Sequence, residues 1–246
     1  MQFVQGLPLG VYVGQTQVEH AQTQPTARVE LTGFNLALHV GDDVKRVQQH
    51  RMALLQQFAV FGVDKLTWLS QTHSALCHRI DDVLCFDALE GDGLITQRKA
   101  HALMMMTADC LPIVLGNAAG TEVANVHAGW RGLAQGIVEQ TISDMHTQPT
   151  WAWLGAAISQ AHFEVGTEVK LAFCTQYPAL QSAFKAGITD SKFYADLYAI
   201  ARYILQQHGV ETVLGGEQCT YLQVDDYFSY RRTAQTGRMA TFVFMT

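Results

Sequence analysis

Positive charge is scarce in this chain: 16 Lys and Arg stand against 22 Asp and Glu in 246 residues, a formal net charge of −6. The basic residues are scattered, so no patch exists to hold a nucleic-acid backbone or an acidic lipid surface, and neither partner is expected. Long apolar runs are also missing. Those present are far too short to span a bilayer, and the first positive residue is Arg28, so no charged segment precedes an apolar one as in a secretory leader. Cysteine is sparse. Cys77, Cys85, Cys110, Cys174 and Cys219 make an odd set without CxxC spacing, which argues against a disulfide framework and for a reducing compartment. These absences predict a soluble cytoplasmic protein.

Several catalytic signatures are absent too. No G-x-S-x-G marks a hydrolase nucleophile elbow, and neither G-x-G-x-x-G nor a P-loop marks a nucleotide fold. The pairing of H-x-E with P-C-x-x-C that serves the zinc nucleobase deaminases does not occur. His-x-His pairs, which a copper oxidase would want in a cluster, are lacking. Met104-Met105-Met106 offers soft thioethers. Consecutive strand residues alternate faces, however, so this triplet reads as core.

What is present is a succession of short periodic segments. Between 6 and 40 the apolar runs are broken by Gly, Thr and Gln, and 11–13 and 29–31 read as strands. From 43 to 61, Val44, Val47, Arg51, Leu54, Leu55 and Phe58 recur at helical spacing, with Gly62 placed to end the helix. Arg51 lies on that apolar stripe, where a charge must be paired, face a site or snorkel to solvent. Strand candidates follow at 66–70, 75–80, 91–96, 102–106, 113–115 and 122–126. A helix is expected from Trp130 through Leu133, Ile137, Val138, Ile142 and Met145, then a strand over 151–158 and helices at 166–177 and 193–208. Strands at 212–214, 220–222 and 240–245 complete the chain. No repeat, low-complexity tract or linker divides it, so one domain with a mixed or antiparallel sheet system is expected.

Three polar clusters close strand-like runs: Gln71-Thr72-His73, Thr107-Ala108-Asp109-Cys110, and His127-Ala128-Gly129-Trp130-Arg131-Gly132. Side chains at such positions are held rigidly yet reach solvent. His73, Cys110 and His127 supply two imidazoles and a thiolate, a set that suits zinc with one open position. The same residues admit a thiol enzyme in which His127 activates Cys110, with Asp109 or Gln71 nearby, although His73 is then unused. The other histidines, His20, His39, His50, His78, His101, His146, His162 and His208, have no evident partners and read as structural.

Seven segments carry a likeness: Gly33-Phe34-Asn35-Leu36, His39-Val40-Gly41-Asp42-Asp43, Gln71-Thr72-His73, Gly91-Asp92-Gly93-Leu94-Ile95-Thr96, Thr107-Ala108-Asp109-Cys110-Leu111-Pro112, His127-Ala128-Gly129-Trp130-Arg131-Gly132, and Ser229-Tyr230-Arg231-Arg232 with Thr236-Gly237-Arg238-Met239. Together they resemble the family named both multicopper polyphenol oxidase (laccase-domain protein) and purine nucleoside phosphorylase / adenosine deaminase, whose bacterial members are also called peptidoglycan editing factors. The likeness runs from about residue 30 to the C-terminus. It implies an α+β fold, a single domain over 1–246 in which mixed β-sheets pack together with helices outside. It further implies zinc at His73, Cys110 and His127, phosphorolysis of adenosine, inosine, guanosine and methylthioadenosine, and deamination of adenosine. The partners are then purine nucleosides and phosphate.

The chain departs from the family pattern at Gly155-Ala156-Ala157-Ile158-Ser159-Gln160, at Ala37, and at His50, which precedes Arg51 where the family shows Asn. These changes spare the three metal positions and touch the substrate-facing loops. On this reading zinc lowers the pKa of a bound water for attack at the purine amino carbon. Arg51, with Arg231 or Arg232, is expected to hold phosphate, and Asn35 to face the substrate. Asp109 is either a proton shuttle or a partner that orients a ligand histidine. Four alternatives stay open at this point: a peptidoglycan-precursor editing hydrolase, a copper-dependent polyphenol oxidase, a Cys-His thiol hydrolase, and a non-catalytic metal-binding module.

Overall fold

A computed structural model describes residues 1–81 and 89–246; Cys85 lies outside the described residues. The first helix, α1 (Val44–Ala59), forms where the 3.6-residue period places it. Asp43 caps it by accepting from the Arg46 amide at 2.9 Å, and Gly62 follows in the left-handed region at φ 83°. Its buried face carries Val47, Leu54 and Phe58. Arg46 is buried as well, donating to the carbonyls of Gln24 and Gly33 and pairing with Asp42.

α1 covers a five-stranded sheet ordered β1 (Gln2–Phe3), β2 (Val11–Gln15), β14 (Met239–Met245), β6 (His101–Thr107) and β3 (Lys65–Thr67). β14 runs antiparallel to β2 and β6, and β6 parallel to β3. All 7 residues of β6 and all 7 of β14 are buried, because both faces of the sheet are covered. Ala102, Met104, Ala240, Phe242 and Phe244 point toward α1, whereas Leu103, Met105, Val243 and Met245 point the other way. Met104 and Met105 are therefore core by alternation, and Met106, also buried, lies outside both groups. Burying each of Phe58, Phe242 and Phe244 contributes roughly 1.5–3 kcal/mol.

The opposite face meets a six-stranded sheet ordered β13 (Thr212–Gly215), β9 (Trp151–Leu154), β7 (Leu111–Gly116), β8 (Val123–Ala128), β5 (Gly93–Thr96) and β4 (Cys77–Arg79). Leu94, Val114, Val123 and Trp151 fill the space between the sheets. Asn125 crosses that space, donating at 2.9 Å to the carbonyls of Leu103 and Thr241. Beyond the second sheet lie α3 (Ile137–Asp144), α4 (Thr167–Cys174) and α5 (Leu197–Gln207), with a small sheet of β10 (Glu164–Gly166), β12 (Lys192–Ala195) and β11 (Phe184–Ala186). The architecture is α+β with mixed sheets between helices.

Several segments differ from expectation for local reasons. Residues 29–31 form a 3₁₀ turn closed by Leu31 N to Arg28 O and Thr32 N to Val29 O, with only Leu31 buried. The helix expected from Trp130 is split into α2 (Trp130–Ala134) and α3, because Gly136 turns left-handed at φ 88°. The stretch 193–208 begins in β12 before Asp196 caps α5. Residues 220–222 are a turn instead of a strand, with a lone bridge of Cys219 to Ala157 beside it. No helix among the described residues is long and apolar enough to cross a membrane.

Candidate metal centre

The site is assembled on Asp92. The antiparallel register of β5 with β8, Gly93 opposite Val126, sets Asp92 across from His127, whose amide donates to the Asp92 carbonyl at 2.7 Å. The Asp92 carboxylate is fully buried. It accepts from His127 Nδ1 at 2.7 Å, from the amides of Thr72, His73 and Ser74 at 3.2, 3.1 and 2.6 Å, and from Ser74 Oγ at 2.8 Å. Burial alone would raise its pKa. The hydrogen bonds from His127 and Ser74 and the charge of His127 outweigh this and hold it well below the usual carboxylate range. This cradle bends the backbone at His73 into the left-handed region, φ 59°, an uncommon conformation for a residue with a side chain. The bond to Nδ1 also fixes the His127 ring so that Nε2 is turned toward the site.

Cys110 sits in the turn between β6 and β7, just after Asp109, which is left-handed at φ 91°. The ligand atoms of His73, Cys110 and His127 all lie within 4.8 Å of one another. Cys110 Sγ is 3.8 Å from His73 Nε2, and the two imidazole rings meet edge to face at 4.7 Å between centroids. Burial pushes the Cys110 thiol up, yet the charge and hydrogen bond of His127, aided by His73, bring it down to about 6. Burial likewise opposes the charge on His127, but Cys110 and Asp92 raise it to about 9. Near neutral pH the pair thus rests as thiolate and imidazolium, and a cation at their common point would take the place of the His127 proton.

Whether the residues fit a metal ion is answered by Gly129, the residue before α2. A Cβ there would lie 3.0 Å from Cys110 Sγ and 3.1 Å from His73 Cδ2, so the missing side chain keeps the centre of the trio open. Zinc bonds of roughly 2.0–2.1 Å to N and 2.3 Å to S place tetrahedral ligands roughly 3.5 Å apart, close to the spacing found. Two imidazoles and a thiolate are a donor set for zinc or copper.

The trio opens into a cavity of about 430 Å³, whose apolar wall includes Met106, Trp130, Ile158 and Phe163. Asp109 and Arg231 also line it. Asp109 does not orient a ligand histidine: its carboxylate accepts from Thr220 Oγ1 and the Arg231 amide, each at 2.6 Å. Asp92 has that orienting role. The Arg231 guanidinium donates to the carbonyls of His162 and Glu164, both at 3.1 Å. Arg51 stands behind Met106, stacked 4.1 Å over Trp68 and donating from Nε to Leu36 O at 2.9 Å; burial lowers its pKa to about 10.

Asn35 and Arg232 are not on the cavity wall. Asn35 is fully buried and bonds Asp42, Ala37 and the Arg238 amide. Arg232 donates to the carbonyls of Thr220, Tyr221 and Tyr227, which makes it a strut for the C-terminal loop. The sequence reading passed over Asp92, Gly129, His39 and Arg238. All four stand in the quoted segments, His39 among the histidines that read as structural, and His39 and Arg238 line the cavity.

Comparison with known proteins agrees with this architecture. Residues 19–246 match the family described as multi-copper polyphenol oxidoreductase laccase. The purine nucleoside phosphorylase YfiH of Shigella flexneri is 40% identical over 220 residues, 86% of each chain. Adenosine deaminase RL5, from an unknown prokaryotic organism, is 34% identical over 237 residues, 90% of each chain. A crystal structure of a Neisseria meningitidis protein superposes with a TM-score of 0.89 at 40% identity, covering 97% of this chain and 96% of that one. With its fold, its His-Cys-His centre and these likenesses, the chain belongs to the multi-copper polyphenol oxidoreductase laccase family, among whose relatives are proteins named purine nucleoside phosphorylase.

Proposed function

We propose that the protein is a zinc-dependent purine nucleoside phosphorylase acting on adenosine, inosine, guanosine and methylthioadenosine, with adenosine deaminase activity at the same site. The observation that carries this reading is the His73, Cys110 and His127 trio at the wall of a cavity large enough for a nucleoside. The names of the relatives support the substrate class. Zinc, when bound, supplies a Lewis acid that makes water nucleophilic near neutral pH.

The residues of the chain perform the remaining tasks. Trp130 and Phe163 offer apolar and aromatic surface against which a purine ring can lie, while Asp92 holds His127 in one orientation. In phosphorolysis a phosphate oxygen bonds C1′ as the C1′–N9 bond breaks, and the purine leaves with the electron pair and takes up a proton. In deamination water adds at the amino-bearing carbon and ammonia departs. Phosphate is needed only for the first. A panel of nucleosides with and without phosphate, beside a phenol oxidation assay with added copper, tests the assignment: phosphate-dependent release of free purine is expected, and phenol oxidation alone would refute it.

The lowered pKa of Cys110 favours examining one other reading, a thiol enzyme. The two are separated by alkylation. With Cys110 as a ligand, alkylation is slow until a chelator removes the metal, and chelation itself stops turnover. A free nucleophile would react at once and work through chelation.

A further inference from the structure

We propose that the part of the cavity bounded by Arg238 and His39 is a phosphoryl subsite, with Arg238 supplying its main donors. The inference rests on the phosphorolytic reading and names the residues that hold the anion. Arg238 is built into the wall from behind. Its amide donates at 2.9 Å to Oδ1 of the fully buried Asn35, which is itself tied to Asp42 at 2.8 Å. Its Nη1 folds back onto the carbonyls of Thr236 and Gly237 at 2.9 and 3.0 Å. The guanidinium is thereby fixed, and its Nε and Nη2 have no protein acceptor among the described residues. An edge of the fork is left free, the shape that pairs with two oxygens of a phosphoryl group.

No carboxylate among the described residues is bonded to this guanidinium: it lies 5.9 Å over the Tyr230 ring, burial lowers its pKa, and Cys110, Asp109 and Tyr230 support its charge only at longer range. Among the described residues the ion pairs engage Arg46, Arg79 and His127, and none engages Arg238 or Arg51. Asp109, the carboxylate on the same wall, spends its hydrogen bonds on Thr220 and the Arg231 amide, so it acts on Arg238 through its charge and leaves the donors of the guanidinium free. A half-buried guanidinium with no anion hydrogen-bonded to it is costly unless one completes it. His39 shares the wall and is close enough to Arg238 and Arg51 for burial and both charges to lower its proton affinity. Arg238 and His39 thus share the cavity wall with the trio, and Cys110 lies close enough for its charge to act on Arg238. Inorganic phosphate and the 5′-phosphate of a nucleotide present the same chemistry to such a group.

The test titrates the metal-loaded protein with inorganic phosphate, adenosine and adenosine monophosphate by calorimetry, for wild type, Arg238→Gln and Arg238→Lys. Losing a charge-assisted fork should weaken phosphate binding roughly ten- to hundredfold in Arg238→Gln, with adenosine affinity unchanged and partial recovery in Arg238→Lys. If adenosine monophosphate alone shows that dependence, the subsite stands as a phosphoester site. Should Arg238→Gln not fold, His39→Ala, at an exposed position, carries the same measurement with a several-fold weakening expected. Phosphate and nucleotide binding equal in wild type and variants, or absent in the wild type, would overturn the subsite. Arg238-dependent phosphate binding without any nucleoside phosphorolysis would instead overturn the proposed activity and leave the subsite in place.

Discussion

Asp92 organises two of the three proposed ligand residues, although it is not one of the trio itself. One carboxylate fixes the ring of His127 and the strained backbone of His73. Asp92→Asn keeps the volume but loses acceptor capacity for these donors, so metal affinity is predicted to fall roughly 10–100-fold, measured by chelator competition. Unchanged affinity would assign the cradle a purely structural role. Gly129→Ala probes the space of the ion. With φ −61° alanine is sterically allowed in the backbone, yet its methyl would stand 3.0 Å from Cys110 Sγ. Metal content should drop while the melting temperature changes little, which a comparison of the two on one sample would show. The trio was legible because each member ends a strand-like run in a polar cluster. Asp92 was not: it stands in Gly91-Asp92-Gly93, read as the start of a strand, and only the β5–β8 register reveals that it faces His127.

At the scale of elements, α1 connects the core to the cavity. Its Arg46 holds Asp42, Asp42 accepts from Asn35, and Asn35 accepts the amide of Arg238. Arg46→Ala strands a buried carboxylate and should cost about 3–5 kcal/mol in urea unfolding. Phosphate affinity should weaken with it, since the support of Arg238 is loosened; a stable variant with full affinity would break this chain of contacts. The helix itself was readable from its period and its Gly62 stop. The reading singled out Arg51 as the misplaced charge, but Arg51 has an aromatic and a carbonyl to rest on, whereas Arg46 is the more deeply buried. Short elements were harder. Residues 29–31, Val-Glu-Leu, alternate apolar and polar as a half-buried strand does, and only hydrogen bonding to a neighbour tells a 3₁₀ turn from a strand. In 130–145 the apolar spacing carries on through Gly136, so periodicity did not disclose the break.

Across the whole molecule, buried histidines give stability a pH dependence in a window distinct from that of the carboxylates. His101, 3% exposed in the first sheet and bonded to Thr67 Oγ1 at 2.6 Å, is lowered by burial, then by Lys65 and Arg98, to about 4. Its folded pKa lies below its unfolded value, so between about pH 6.5 and 4 the unfolded chain binds a proton that the native chain does not. Stability therefore falls as pH falls, by up to about 1.4 kcal/mol per pH unit from this residue. Urea midpoints of wild type and His101→Gln should converge from pH 7 to pH 5; parallel curves would reject the assignment. The layered α+β arrangement, by contrast, was accessible early, because alternating apolar strands separated by helical stretches admit few ways to cover both sheet faces. The claim on which all of this depends is that His73, Cys110 and His127 hold a catalytic metal. It is tested most directly by metal analysis of wild type and His73→Ala, purified without added metal, with inosine phosphorolysis measured on the same samples. About one zinc per wild-type chain is predicted, with zinc and turnover both lost in His73→Ala; wild-type turnover in a His73→Ala sample that contains no zinc would contradict the account.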